Sequence, residues 1–258
     1  MRDLINRALL RATGYRLQRP APRRARGPRR ERAGRLPPDF DDEAKAIIRA
    51  VRPYTMTSPD KLFALIEATR YVAAHGIAGD VVECGVWRGG SMHAVARTLA
   101  ACGDTSRDLY LFDTYEGMPP AGERDLRHDG RRATELLETL PRESKTWAVA
   151  SLDDVRAGFE GVPYPRERVR FVEGRVEETV PASAPERIAL LRLDTDWYES
   201  TRHELEHLYP RLSSGGVLIL DDYGWWQGAR EAVDEWLAET GERLLLVRAG
   251  SGRIAVKP

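Results

Sequence analysis

The chain has 258 residues, of which 42% are hydrophobic and 31% charged, and its formal net charge is zero. This length and composition suffice for one large α/β domain or two small ones with a sizeable core. The two cysteines, Cys84 and Cys102, exclude a disulfide framework and a zinc cluster made of cysteine alone. No N-terminal apolar stretch is typical of a signal peptide or a membrane span, so we expect a globular, cytoplasmic protein.

The N-terminal segment is strongly basic. Residues 1–36 contain twelve arginines and two acidic residues, a formal charge of +10, so the remainder of the chain carries −10. Clustered arginines neutralise phosphates, which allows this arm to bind nucleic acid or an anionic membrane, whereas a solubilising leader is the alternative. We expect residues 1–49 to form a partly disordered arm with short helices, one of them amphipathic at 3–17, and residues 50–258 to form the folded domain.

After the arm, predicted strands and helices alternate. Residues 59–76 have apolar residues at helical spacing and end at Gly76. Runs rich in Val, Ile, Leu and aromatic residues indicate strands, and segments with helical spacing separate them; these runs are 81–86, 109–115, 169–174, 188–194 and 216–223. The alternation predicts a mostly parallel sheet covered on both faces. The final segment, RLLLVRAGSGRIAVKP, predicts an antiparallel hairpin.

The segment 117–148 is polar, contains several Pro and Gly residues, and directly follows the predicted strand 109–115. In doubly wound folds, ligands bind beyond the carboxyl ends of the strands, so an insertion at this point is a candidate lid. A long surface loop with one helix is the alternative.

Two features indicate a ligand that contains adenosine. In VECGVWRGGS (82–91), a predicted strand runs into a turn with three glycines, and a helix follows. The G-x-G-x-x-G spacing of dinucleotide sites is absent. Asp113 ends the next predicted strand, the position from which an acidic residue accepts hydrogen bonds from a ribose. Each feature alone also fits a structural turn or a helix cap.

Four aspartates follow two predicted strands. Asp194 and Asp196 are two positions apart and point the same way on an extended chain, and Asp221 and Asp222 end the next apolar run. If the two strands are neighbours, the four carboxylates converge and repel one another unless a hard cation such as Mg²⁺ lies among them. Solvated aspartates at strand ends are the alternative.

HELEH (203–207) matches the H-E-x-x-H pattern of zinc peptidases. Leu205, Leu208 and Leu212 share one helix face, and His203 and His207 lie nearly opposite it. We therefore predict an incidental pair of surface histidines rather than a zinc site.

Five segments together resemble the macrocin-type sugar O-methyltransferases, which act on macrolides and related antibiotics. They are PYTMTS (53–58), VVECGVWRGGS (81–91), LFDTYEGMP (111–119), LLRLDTDWYEST (190–201) and GGVLILDDYGWWQGAREAVDEW (215–236). The resemblance extends from about residue 50 to residue 258. It implies the class I S-adenosylmethionine (SAM)-dependent methyltransferase fold, which is Rossmann-like: a seven-stranded, mostly parallel sheet with a C-terminal antiparallel hairpin, here with a lid insertion after the second strand.

The resemblance also implies residue roles. Glu83, Gly85 and Ser91 would surround the methionine part of the cofactor, Asp113 would hold the ribose, and Ser151 would lie near the adenine. Asp194 would also contact the cofactor, and Thr55 and Met56 would close over the cofactor from the N-terminal side. Asp194, Asp221 and Asp222 would bind Mg²⁺. Asp196 would be the general base.

The implied reaction is Mg²⁺-dependent transfer of a methyl group from SAM to a hydroxyl of a deoxysugar on a glycosylated natural product. A catechol or phenolic diol is an alternative acceptor, because Mg²⁺ can orient either diol. An inactive fold carrying a nucleic-acid-binding or membrane-binding arm is the alternative of another class. We expect a small glycosylated acceptor and further copies of the chain as partners, with no nucleic acid and no stable membrane insertion.

Overall fold

The computed structural model describes residues 36–258, and the compact unit runs from Pro38 to Pro258. The predicted amphipathic helix at 3–17 and most of the basic arm lie outside the described residues. The helix Asp42–Val51, in contrast, lies within the compact unit, and its apolar face is buried (Ala44, Ile47, Ile48, Val51). The folded unit therefore includes a helix from the segment that the sequence analysis assigned to the arm.

Seven strands form a single sheet in the order β3-β2-β1-β4-β5-β7-β6. The first five strands of the chain run parallel, and β7 pairs antiparallel with both β5 and β6. This arrangement confirms the predicted fold class. The strands are β1 (Asp80–Cys84), β2 (Leu109–Asp113), β3 (Val169–Glu173), β4 (Ile188–Leu193), β5 (Leu212–Leu220), β6 (Val247–Ala249) and β7 (Gly252–Val256).

Helices cover both faces of the sheet. They are α1 (Asp42–Val51), α2 (Pro59–Ala74), α3 (Gly90–Ala101), α4 (Ala133–Thr139), α5 (Leu152–Gly158), α6 (Val176–Thr179), α7 (Tyr198–Leu208) and α8 (Gln227–Thr240). Val81 belongs to the apolar cluster on one face and Val82 to the cluster on the other, because successive side chains of a strand point to opposite faces. Covered faces explain why the strands are apolar throughout. Among residues 36–258, the helices are too short or too polar to cross a membrane.

The register of the central strands aligns the residues that leave the sheet. Cys84 at the end of β1 pairs with Phe112 of β2 and Leu193 of β4, and Leu193 pairs with Leu220 of β5. The residues that follow, Gly85, Asp113, Asp194 and Asp221, therefore emerge side by side at the carboxyl edge. The strand order reverses between β1 and β4, where such folds bind ligands.

Gly85 permits the closest approach at this edge. Its φ is +80°, and a Cβ at this position would collide with the backbone carbonyl of Asp194. Any other residue would push the glycine turn away from the end of β4.

His93 of α3 is buried between aromatic rings. Its ring centroid lies 4.8 Å from that of Tyr54 and 4.3 Å from that of Phe159, and its Nε2 has no hydrogen-bond partner among the described residues. Burial, assisted by the charge of Arg97, lowers the pKa of His93 from 6.5 to about 4. The neutral ring thus stabilises the fold fully above pH 6.5, and this contribution is lost as the pH falls towards 4.

We expect the free energy of unfolding to fall by about 3 kcal/mol more in the wild type than in His93→Leu between pH 7 and pH 4, because a shift of one pKa unit corresponds to about 1.4 kcal/mol. Urea denaturation at several pH values measures the difference. His75→Gln, at an exposed histidine, should keep the wild-type slope. Equal slopes for the wild type and His93→Leu would contradict the assignment.

Candidate active site

A cavity of about 500 Å³ lies at the carboxyl edge of the sheet. Seven of the predicted site residues line it: Met56, Gly85, Asp113, Asp194, Asp196, Asp221 and Asp222. They come from the segment before α2 and from the ends of β1, β2, β4 and β5. Residues distant in sequence therefore meet at one cavity, as the strand ends predict.

The other four predicted site residues lie outside the cavity lining. Glu83 is buried beneath it, and Thr55 and Ser91 contact Thr57, a lining residue: the Thr57 N–H donates to Thr55 Oγ1 over 3.0 Å, and the Thr57 and Ser91 hydroxyls are 3.4 Å apart. Ser151 is exposed and caps α5, accepting from the N–H of Asp154. Residues 174–176 after β3 also line the cavity.

Asp113 shapes the glycine turn. Its Oδ2 accepts from the N–H groups of Val86 (2.8 Å) and Trp87 (2.9 Å), and its Oδ1 accepts from Tyr115 N–H (2.8 Å). Trp87 has a φ of +48°, a left-handed conformation that these bonds help to hold. A carboxylate has about four acceptor sites, so capacity remains for a ribose hydroxyl.

A buried arginine that the sequence analysis missed connects the acidic groups. Arg192 of β4 is 2% exposed, and its guanidinium pairs with Glu83, with Asp194 (2.7 Å) and with Asp221 (2.6 Å). It also donates to the Thr57 hydroxyl over 3.2 Å. An arginine inside an apolar strand, two positions before the first aspartate, was the available signal.

The carboxyl groups of the site have different pKa values. Burial raises the pKa of Asp194 and Asp222 well above the usual range. Burial acts on Asp221 in the same direction, but the charges of Arg192 and Lys61 outweigh it and hold its pKa at about 2. Lys61 is thus a second cation of the site that the sequence analysis missed. Asp221 is the carboxylate whose charge the protein itself compensates most fully.

Asp196 stands apart from the other aspartates on a tight turn. Its φ is +67°, its N–H donates to Asp222 Oδ2 (3.2 Å), and the hydroxyl of Thr195 donates to Glu204 (3.2 Å). Burial in the cavity, together with the charge of Asp194, raises the pKa of Asp196 to about 7. A carboxylate with this pKa can accept a proton near neutral pH.

The HELEH segment has a structural role on α7. His203 lies against the Val180 carbonyl (3.0 Å), His207 lies against the His203 carbonyl (2.8 Å), and both rings are half-buried rather than fully at the surface. Glu204 points inward and is fully buried. Within residues 36–258, the cluster able to hold a metal is Asp194, Asp221 and Asp222, which offer oxygens within 4.8 Å of one another.

The segment 117–148 forms one wall of the cavity. Asp125, buried at 2% exposure, accepts from Gly122 N–H (2.7 Å) and from Tyr198 N–H (2.8 Å) in the first turn of α7. A carboxylate is favourable there because the first helical N–H groups lack partners within the helix.

Trp226 is buried and packs edge-to-face on Trp197, whereas Trp225 is 45% exposed at the cavity.

A sequence model of the macrocin O-methyltransferase (TylF) family matches residues 29–243. The chain belongs to this family. Over 188 residues it is 39% identical to the 8-demethyl-8-(2,3-dimethoxy-alpha-L-rhamnosyl)-tetracenomycin-C 4'-O-methyltransferase of Streptomyces olivaceus, covering 73% of this chain and 69% of the relative. It is 34% identical over 187 residues to the mycinamicin III 3''-O-methyltransferase of Micromonospora griseorubida, covering 71% of this chain and 70% of that relative.

The fold agrees with this membership. The O-methyltransferase NovP superposes with a TM-score of 0.69 at 32% identity, covering 79% of this chain and 82% of that one. The chain is therefore a TylF-family O-methyltransferase with the class I methyltransferase fold, which confirms the resemblance and the fold expected from it.

Replacing Arg192 with Met should lower the free energy of unfolding by about 3–5 kcal/mol, because buried carboxylates lose their cation. Urea denaturation measures the loss, and adding Glu83→Gln to the variant should restore part of it by removing one of those charges. Arg202→Met is the control: it breaks ion pairs to the exposed Glu206 and Glu239 and should cost less than about 1 kcal/mol. Losses of equal size would contradict a central role for Arg192.

Proposed function

We propose that the chain is a Mg²⁺-dependent methyltransferase that moves a methyl group from SAM to a hydroxyl of a deoxysugar on a glycosylated natural product. The observation that carries the proposal is the convergence of four aspartates beside a glycine turn at the edge of one cavity. This arrangement supplies both a cation site and a separate proton acceptor.

The cofactor site proposed here follows the strand ends. When bound, SAM supplies an electrophilic methyl group on its sulfonium. Gly85 leaves room at the turn, Asp113 accepts from the ribose, and Val176 after β3 lies near the adenine, on the side of the cavity towards which Ser151 was predicted to lie. Met56 covers the cavity, and Asp194 lies at the methionine end. Thr55 and Ser91 lie behind the cavity lining and hold Thr57. Glu83 pairs with Arg192, which also donates to Thr57.

The proposed metal ligands are Asp194, Asp221 and Asp222, whose oxygens suit a hard divalent cation. The raised pKa values of Asp194 and Asp222 have the same physical origin, namely buried negative charge that the protein compensates incompletely. When bound, Mg²⁺ supplies positive charge that lowers the pKa of an acceptor hydroxyl.

Asp196 acts as general base in this proposal. It lies two positions beyond Asp194, and its backbone N–H donates to Asp222, so one of the proposed metal ligands also helps to position this base. It takes the proton from the acceptor hydroxyl as the oxygen attacks the methyl group. Its pKa of about 7 suits this role, because a base is most effective when its pKa is close to the working pH.

The acceptor would lie between Asp196 and the wall formed by Met118, Pro119 and Trp225. An exposed tryptophan at a cavity provides a flat apolar surface for a sugar or an aglycone ring. The rhamnosyl group in the name of the Streptomyces olivaceus relative supports a deoxysugar acceptor. A catechol remains the second candidate, and comparing turnover of glycosylated macrolides and catechols separates the two.

Asp196→Asn should lower kcat by about 10²–10⁴-fold with little change in SAM affinity, because an amide cannot accept the proton. Steady-state kinetics and calorimetric titration with SAM measure the two effects. Asp153→Asn, on the exposed face of α5, is the matched control and should leave both unchanged. Near-normal turnover in Asp196→Asn would remove this residue as the base.

Removal of divalent cations with EDTA should abolish turnover, and added Mg²⁺ should restore it. Asp222→Asn should raise the Mg²⁺ concentration needed for half-maximal rate about tenfold or more, because one anionic ligand is lost. Metal titrations of the initial rate measure the shift. Turnover that EDTA does not affect would exclude the proposed metal dependence.

A further inference from the structure

We propose that Lys61 is a tethered counter-ion of the acidic site, which shares Asp221 with the divalent cation and thereby sets how tightly the site holds metal. The inference rests on the proposed metal dependence, but its test distinguishes failure of the Lys61 role from failure of the metal dependence.

Lys61 reaches into the site from α2. Its ammonium donates to the backbone carbonyl of Asp221 (2.9 Å) and forms a short ion pair with Asp221 Oδ2. It lines the same cavity as Asp194, Asp221 and Asp222. A positive charge therefore already lies at the place where a divalent cation would be held.

Packing holds the stem of the Lys61 side chain and leaves the ammonium at the cavity. The Lys61 side chain is 13% exposed, and its Cγ lies against Gly250 in the turn between β6 and β7. Gly250 has a φ of +60°, and a Cβ there would come within 3.1 Å of Lys61 Cγ. Because Gly250 has no side chain, the turn can pack closely against the stem of Lys61 and hold the stem in place.

Asp221 carries a cationic group on each carboxylate oxygen. Arg192 occupies Oδ1 at 2.6 Å, and Lys61 occupies Oδ2. Arg192 is buried in the strand and cannot leave without breaking its pairs with Glu83 and Asp194. Lys61 lines the cavity, so its ammonium is the partner of Asp221 that a bound cation can displace.

Two consequences follow for a cation in the site. It must share Asp221 with the ammonium or displace the ammonium from Oδ2, and in either case it meets the repulsion of a unit positive charge nearby. Lys61 therefore weakens metal binding, and it compensates part of the acidic charge when no metal is bound. Lys61 is thus a positioning residue for Asp221 and for the metal, without contact to the acceptor.

The test is calorimetric titration of the protein without SAM with Mn²⁺ as the probe. Lys61→Met should bind Mn²⁺ about tenfold or more tightly than the wild type, because the competing charge is gone. In EDTA its Tm should be lower than that of the wild type, and the rise in Tm on adding Mn²⁺ should be larger. Lys61→Gln keeps a donor for the Asp221 carbonyl and should change affinity in the same direction, which guards against a folding defect in Lys61→Met.

Lys61→Arg, which keeps the charge, should remain within about threefold of the wild type. Lys145→Met removes an exposed lysine that lines the cavity without pairing with the aspartates, and it should leave the Mn²⁺ affinity unchanged.

Unchanged or weaker Mn²⁺ binding by both neutral variants would overturn the role of Lys61 and leave the metal proposal standing. Binding by Lys61→Met with none by the wild type would support the role of Lys61 and contradict the metal dependence of the natural enzyme. Absence of binding in every variant would overturn both proposals.

Discussion

The guanidinium of Arg192 is the contact on which the carboxyl edge of the sheet depends. It lies inside β4, where burial of a charge is costly. Through ion pairs and a hydrogen bond it connects the end of β1 (Glu83), the end of β5 (Asp221) and the segment before α2 (Thr57). One side chain thus fixes the relative positions of three structural elements. Several aspartates can lie together at this edge because the permanent positive charge of Arg192 lies beneath them. The negative charge of the cavity comes from the aspartates that Arg192 and Lys61 do not neutralise.

The strands and the converging aspartates were predictable from sequence because both follow from local rules. Strands covered on two faces are apolar throughout, and the residues that follow neighbouring parallel strands meet at one edge of the sheet. The two-residue period of an extended chain does not place Asp196, because the structure holds it on a turn with a left-handed φ of +67°. The partners of these residues were not predictable. Lys61 and Asp221 are separated by 160 positions, and their contact depends on the packing of α2 against the hairpin turn. The place of residues 174–176 was unpredictable for a related reason: only the tertiary fold brings the residues after β3 to the cavity, and the local sequence around Ser151 specifies a helix cap.

HELEH illustrates how a sequence motif can mislead. Its histidines bond to nearby carbonyl groups, while the glutamate between them enters the core and holds Thr195, the residue between the two aspartates. The segment therefore supports the turn that carries Asp196 from behind. The insertion 117–148 contributes in another way, since Asp125 fastens it to the first turn of α7 while its neighbours face the cavity. The insertion is thus anchored to the domain at Asp125 and presents several of its other residues to the cavity.

The reversal of direction at β7 also affects how the site is assembled during synthesis. The turn at Gly250 and Ser251 is encoded near the C-terminal end of the chain, yet Ser251 lines the cavity and Gly250 supports the stem of Lys61, which is translated almost two hundred residues earlier. Before β7 pairs with β5, β5 is an open edge and Lys61 lacks this support. The nascent protein can thus form most of its sheet without a complete acidic site, and that site matures only when the hairpin closes.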